Sequence, residues 1–321
     1  IRFMTKKTLY VIGTGPSLRD IDMSLLKDKD TITFNRAYVA YEDWGFTPTY
    51  YMCIDANDLR SIYGDIKELT ETTDTKFFLS KTTDNDKHDP EDFWQEEWVN
   101  DKDMIPARPN VTFISDSIDT KEGQRYGIKF MDIWESRHPD PNRNEIKMDV
   151  VPNAGCLSIT LAFILWGYDE VAFVGCDCRY KNDDESNKHL VKKGKSFRST
   201  ENYDVNHFRD DYFGKNITFG APNEEEIIYV WGTLVGFLPL IGEYTGKDHQ
   251  VYSCTPGSNA NAFYPYISLK NFTKGSREIE IPPSVQPGWV YRNEAGHIRV
   301  NKTKLGVSPY VPTKTDNKNE E

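Results

Sequence analysis

Leu9-Tyr10-Val11-Ile12-Gly13-Thr14-Gly15-Pro16-Ser17-Leu18 carries an apolar, β-rich run straight into a glycine-proline-serine turn and then into a helix-like segment. Nucleotide sites commonly begin this way. Gly13 and Gly15 allow the backbone to approach a ligand and to adopt positive φ, and Ser17 is placed to cap the next helix, whose free N–H groups attract phosphate. Leu18 stands where the dinucleotide fingerprint needs its third glycine, and no G-x-x-x-x-G-K-[ST] occurs. A strand-to-helix turn without a ligand is the competing reading.

Outward from this stretch, short apolar runs recur at residues 8–12, 31–34, 49–54, 76–79, 111–114, 170–174 and 250–253, with helix-like or polar intervals between them. Such alternation predicts an α/β, Rossmann-like, doubly wound and mostly parallel sheet. Residues 156–166 are apolar almost all round, which predicts a helix buried against that sheet. The charged stretch 84–103 reads as a surface helix docked by Phe93, Trp94 and Trp98. Residues 181–206 are polar, lysine-rich and without period, and are expected to form a long loop or lid. Glu224, Glu225 and Glu226 after Pro222 suit the first turn of a helix. The expected organisation is one main domain over residues 4–272, including the lid. A small C-terminal appendage follows at 273–311, holding a hairpin around Asn293-Glu294-Ala295-Gly296, and then a disordered tail at 312–321.

The chain of 321 residues is long enough for one large core. Its 39 basic and 50 acidic residues give a net charge of −11, which disfavours a broad nucleic-acid-binding face and leaves small, loop-bound anions compatible. Five cysteines, Cys53, Cys156, Cys176, Cys178 and Cys254, lie mostly in apolar stretches and read as reduced core thiols of a cytoplasmic protein. Neither a membrane-spanning run nor a signal-peptide core is expected. A homo-oligomer is compatible.

In a doubly wound sheet, ligands bind where loops leave the carboxyl ends of strands. Gly13, Thr14, Gly15, Pro16 and Ser17 follow the first run; Asn35 and Arg36 the second; Asp55 the third; Cys176 and Asp177 a late one. Asn153, Ala154, Gly155 and Cys156 open the buried helix. Together they predict a nucleotide-sized cleft. Asn35 would hydrogen-bond a base, ribose or phosphate, and the Arg36 fork would face a phosphate. Asp177 would accept from ribose hydroxyls or cap its own turn.

His207, in Asn206-His207-Phe208-Arg209-Asp210-Asp211-Tyr212-Phe213-Gly214, has the residue type of a general base, with the Tyr212 phenol five residues later; a structural histidine is the alternative. The other histidines, His189 and His249 among them, have no comparable setting. Asp20-Ile21-Asp22 has the D-x-D spacing of metal-dependent sugar transferases but falls within the expected helix after the first loop. No metal is predicted and no resident cofactor.

The blocks V-I-G-T-G-P-S-L, T-F-N-R-A-Y, N-A-G-C-L-S-I-T-L-A-F-I-L-W-G-Y-D-E-V-A-F-V-G-C-D and N-H-F-R-D-D-Y-F-G, scattered from Thr8 to Phe263, resemble the bacterial sialyltransferases of glycosyltransferase family 42. They also resemble the broader G-P-S-L group of domain-of-unknown-function 115 type, which includes archaeal 6-hydroxymethylpterin diphosphokinases. The resemblance implies a metal-independent, inverting transferase in which the 13–17 loop and Asn35 contact the donor nucleotide and phosphate. It places Asn153 to Cys156 and Asp177 on cytidine and ribose, Tyr180 on the leaving phosphate, and His207 as the base. Thr14 and Ala154 replace an asparagine and a serine of the family pattern, and its second phosphate-binding tyrosine has only Tyr203 or Tyr212 as candidates.

The expected function is therefore transfer of a sugar from a nucleotide-sugar donor, sialic acid or another, to a hydroxyl of a glycan or other acceptor, with modified nucleic acid a remote option. Tyr180 with Tyr212 or Arg36 would stabilise the departing phosphate. Two rivals stay open: an ATP- and Mg²⁺-dependent diphosphokinase, which would need two metal-binding acids, for which only Asp55 and Asp177 offer themselves, and a non-catalytic nucleotide-binding module.

Overall fold

The computed structural model describes residues 6–80, 105–106, 108–115, 127–129, 153–181, 183–194, 196–220, 224–283, 290–292 and 298–300. Strands β1 (Thr8–Ile12), β2 (Thr31–Phe34), β3 (Tyr50–Cys53), β4 (Lys76–Ser80), β5 (Val111–Ser115), β6 (Gly127–Lys129) and β7 (Glu170–Val174) join β11 (Gln250–Ser253) in one eight-stranded sheet. Its order is β11-β7-β1-β2-β3-β4-β5-β6, and every pairing is parallel. This is the doubly wound α/β architecture. β2, β3 and β7 are buried at every position, so their sequences run apolar or threonine-rich rather than alternating.

Strand order reverses at β1. From there the chain winds through β2 to β6 on one side and returns to β7 and β11 on the other. The crevice outside the carboxyl ends of β1 and β7 is thus the topological switch point, where such sheets bind ligands.

Six α-helices are described: α1 (Tyr41–Trp44), α2 (Ala56–Thr72), α3 (Ala154–Ile164), α4 (Asp184–Asn187), α5 (Glu224–Thr245) and α6 (Leu269–Thr273). Residues 155–164 of α3 are all buried, because the helix lies between the sheet and α5. The expected helix after β1 is instead two single-turn 3₁₀ segments, Pro16–Asp20 and Met23–Leu26, and Asp22 caps the second by accepting from the Ser24 N–H. Ser17 therefore caps no helix.

The stretch expected to be a loop without period is folded. It holds α4, β8 (Leu190–Lys193) and β9 (Ser196–Ser199), and the latter pairs with β10 (Thr218–Gly220) in a three-stranded antiparallel sheet. Four-residue strands rich in lysine, arginine and serine leave no hydrophobic period to read. β12 (Val290–Arg292) and β13 (Ile298–Val300) pair antiparallel as the C-terminal hairpin. The candidate surface helix at 84–103 and the tail at 312–321 lie outside the described residues. Among the described residues no helix is long and apolar enough to cross a membrane. The five cysteines are free.

Glu170 at the start of β7 is fully buried; it accepts from the Thr8 hydroxyl at 2.6 Å and pairs with Arg277, whose guanidinium lies 3.8 Å from the Phe272 ring centre. Arg277→Ala would strand a buried carboxylate. An expected loss of about 3 kcal/mol is at the low end for such a break, because the arginine is partly exposed. Urea unfolding of the variant measures it, and an unchanged midpoint would show that the pair is solvent-relaxed.

Candidate active site

The β1 and β7 loops are built against each other. The Gly13 N–H donates to the Val174 carbonyl and that of Gly15 to the Gly175 carbonyl, both at 2.8 Å. A Cβ on residue 13 would overlap the Gly175 oxygen, and one on residue 15 the Asp177 carboxylate. Neither Gly13 nor Gly15 has positive φ; that conformation belongs to Gly175, at φ 69°. The two glycines thus let the two loops meet.

Asp177 is buried and takes the Ser17 hydroxyl on Oδ2 at 2.7 Å, whereas its Oδ1 has no partner among the described residues. Desolvation raises its carboxyl above the usual range despite the Ser17 hydrogen bonds. The loop beyond it bears Cys178 at φ 51°, and facing it Asn35 sits at φ 46°. Left-handed backbone costs energy at non-glycine positions, and both residues border ligand-sized space.

Two cavities meet here. The narrower, about 190 Å³, is lined by Gly13, Thr14 and Gly15, by Asn153, Ala154 and Gly155, and by Asp177, Arg179, Tyr180 and Trp231. The larger, about 660 Å³, is lined by Asp55 and Asp58 of the α2 start, by Tyr212, and by residues of α4 and the small sheet. Thr14, Asn35, Tyr180, Asn206 and His207 border both.

His207 is positioned from several directions. Its Nδ1 lies 2.9 and 3.0 Å from the two Asp204 oxygens, and its ring stacks on Tyr212 with centroids 4.1 Å apart. Asp204 also accepts from the Asn206 N–H at 2.9 Å and the Phe213 N–H at 3.1 Å. Burial acts to raise the Asp204 carboxyl, but the His207 contact and these N–H bonds outweigh it and hold it below the ordinary value. From the β1 loop, Arg19 donates to the carbonyls of Asp204 and His207 at 2.7 and 2.9 Å, and the Phe208 N–H donates to Thr14 O at 3.1 Å. Asn206 pins the base of the 181–206 excursion, accepting from the Lys181 N–H at 2.6 Å and donating to its carbonyl at 3.0 Å. With Nδ1 facing a carboxylate, the ring presents Nε2, which makes no hydrogen bond among the described residues.

Not every expected contact reaches the cavities. Pro16, Ser17, Arg36 and Cys156 line neither. Arg36 donates from Nε to the Tyr212 carbonyl at 2.5 Å and from Nη1 to the Tyr38 hydroxyl at 3.4 Å, so its fork fastens the His207 loop rather than facing open space. The Cys156 N–H is spent on the Asn153 cap at 2.9 Å, and Gly155 is small because Trp231 presses on it. Tyr212 is buried, and desolvation raises its phenol. Tyr180 is half-buried and its phenol is raised for the same reason, which keeps it a proton donor.

Three residues escaped the sequence reading. Arg179 is exposed and lines the narrow cavity, which Arg36 does not; its place two residues past Asp177, at a strand end, was the available signal. Asp204 becomes the partner of His207 only through the turn between them. Asp58 receives the Asn35 amide at 3.2 Å, and burial together with the Asp55 carboxylate pushes its pKa up. Asp55 itself caps α2, accepting from the Asn57 N–H at 2.7 Å. No three His, Cys, Asp or Glu side chains are grouped as metal ligands among the described residues.

No protein-family profile and no curated protein matches the chain. Among solved structures it is similar to the MAf glycosyltransferase from Magnetospirillum magneticum AMB-1, at TM-score 0.40 and 15% identity over 88% of this chain. It spans only 36% of that longer protein. It is also similar to the sialyltransferase CstII from Campylobacter jejuni in complex with cytidine-5′-monophosphate, at TM-score 0.39 and 14% identity, over 87% of this chain and 96% of that one. The CstII complex with CMP-3FNeuAc gives TM-score 0.39 and 16% identity. Likeness of this extent assigns no residue a role.

Proposed function

We propose that this protein is a glycosyltransferase: the nucleotide of a sugar donor lies in the narrow cavity at the switch point, and the sugar passes to an acceptor hydroxyl beside His207. The observation carrying this reading is the His207–Asp204 pair at the junction of the two cavities. A neutral imidazole whose Nδ1–H is held by a carboxylate exposes a basic Nε2, the arrangement a general base needs. The acceptor loses its proton to Nε2 as its oxygen attacks the anomeric carbon, and the bond from that carbon to the donor phosphate breaks. The Tyr180 hydroxyl and Arg179 stand on the nucleotide side to receive the developing phosphate charge. Tyr212 acts as the platform under the imidazole, not as a phosphate contact. Asp177 Oδ1 is free to accept a ribose hydroxyl, and Asn153, Ala154 and Asn35 border the base and ribose.

In this reading protein groups neutralise the leaving phosphate, so a nucleotide should bind without divalent ions. Calorimetry of CMP, UDP and GDP in EDTA tests this after a thermal screen selects the base, since a ligand at a hundred times its Kd adds about 2.7 kcal/mol of stability. Binding that appears only with Mg²⁺ or Mn²⁺ would overturn metal independence. Mg²⁺-dependent binding of ATP in particular would favour the diphosphokinase, with the adjacent Asp55 and Asp58 as its acids.

A further inference from the structure

The larger cavity contains more polar chemistry than proton abstraction requires. Ser186 is 2% exposed and His189 7% exposed, both line this cavity, and the Ser186 Oγ and His189 Nδ1 have no hydrogen-bond partner among the described residues. Buried polar atoms are seldom left so, and each unpaired one costs free energy. Their neighbours are specific. Asp183 caps α4 through the Ser186 backbone N–H at 2.7 Å, leaving the hydroxyl free, and the His189 ring meets Tyr203 edge-on with centroids 5.0 Å apart. On the α2 side stand the Asp55 and Asp58 carboxyls. Phe197, Phe213 and Phe219 supply an aromatic surface, Phe213 and Phe219 stacking at 4.1 Å and Phe197 and Phe219 at 6.1 Å.

We propose that this cavity binds a neutral sugar ring, its hydroxyls meeting the Asp55 and Asp58 carboxyls and the unpartnered Ser186 Oγ and His189 Nδ1, its apolar face against the phenylalanines. The inference deepens the glycosyl-transfer reading and rests on it for the sugar's role, but not for its binding. Each side of a sugar matches one part of the lining. The Asp55 carboxylate accepts from a sugar hydroxyl, while the Asp58 carboxyl, which burial holds protonated, a serine hydroxyl and an imidazole nitrogen can each donate or accept. A carboxylate-bearing sugar fits poorly. A ligand carboxylate would stand beside the Asp55 carboxylate and the half-buried Asp58. Lys181 also lines the cavity, but it is exposed and lies 3.7 Å from Asp183, so it offers no buried counter-charge. A hydroxyl-rich neutral ring therefore fits this lining better than a sialic acid.

Ligand-observed NMR titration of the intact protein decides it, with methyl β-D-galactopyranoside, methyl α-D-glucopyranoside and N-acetylneuraminic acid as probes. At least one neutral glycoside should bind about tenfold more tightly than the acid. Ser186→Ala should weaken that glycoside by about 3- to 10-fold, the worth of one hydrogen bond, and Asp55→Asn should narrow the discrimination against the acid. Equal or tighter binding of N-acetylneuraminic acid overturns the inference. So does binding of none of the probes up to their solubility, or a preference unchanged in both variants. Nucleotide titration on the same preparation separates the two readings: nucleotide binding without sugar discrimination defeats only this inference, and sugar discrimination without any nucleotide binding defeats only the transferase.

Discussion

His207→Ala is expected to lower kcat by about 10²- to 10⁴-fold while leaving donor affinity within a few-fold, the loss associated with removing a positioned general base. His207 lines both cavities, and in the proposed reading the other residues of the narrow cavity hold the nucleotide. A packing role would give a different pattern. His207 is buried on Tyr212, and if packing were its whole contribution, the variant would melt earlier yet turn over normally in its folded fraction. Turnover, donor titration and melting temperature on one preparation resolve the two, with the donor taken from the nucleotide screen. Near-normal kcat in a folded variant would remove His207 from the chemistry.

Asp204→Asn should cost about 10²-fold or more in kcat with little change in volume. Asparagine offers an N–H where the carboxylate offered an acceptor, so the imidazole is driven to the tautomer that carries its proton on Nε2 and has none to accept. Asp204 acts through the ring and is a positioning residue, and the split between kcat and KM distinguishes that from mere loop packing. Loss of the orienting acceptor should lower kcat while KM and melting temperature stay nearly unchanged. A variant that melts earlier yet turns over normally in its folded fraction would mean that Asp204 only holds the turn through Asn206 and Phe213. The same carboxylate contributes to stability. Its folded pKa is depressed, so the contribution is present at neutral pH and is lost as pH falls through the folded value, below the ordinary aspartate range.

Much of the fold was legible because its elements are long or uniformly apolar. β1, β2, β7 and β11 coincide with the apolar runs, and the all-round apolarity of residues 156–166 marked a buried helix, which runs from Ala154 to Ile164. The loops at the carboxyl ends were legible for the same reason, once the sheet was taken as parallel. The 181–220 region was not: β8, β9 and β10 are three or four residues long, and each is a strand only because its neighbour pairs with it.

The sequence by itself determined the parallel sheet, the buried helix α3 and the collection of glycine and asparagine loops at one edge, since these follow from local propensity and from burial along one stretch of chain. Tertiary structure alone decided how individual polar side chains are used. Arg36 and Arg179 are the same residue type at two strand ends, yet one fork is consumed by Tyr212 and Tyr38 and the other borders the narrow cavity. His189 and Ser186 gained meaning only when folding buried them without partners. Hydrophobic burial is written as a pattern that a single segment carries, whereas the role of a charge or hydroxyl is set by the few atoms within about 3 Å of it, and those come from segments far apart in the chain.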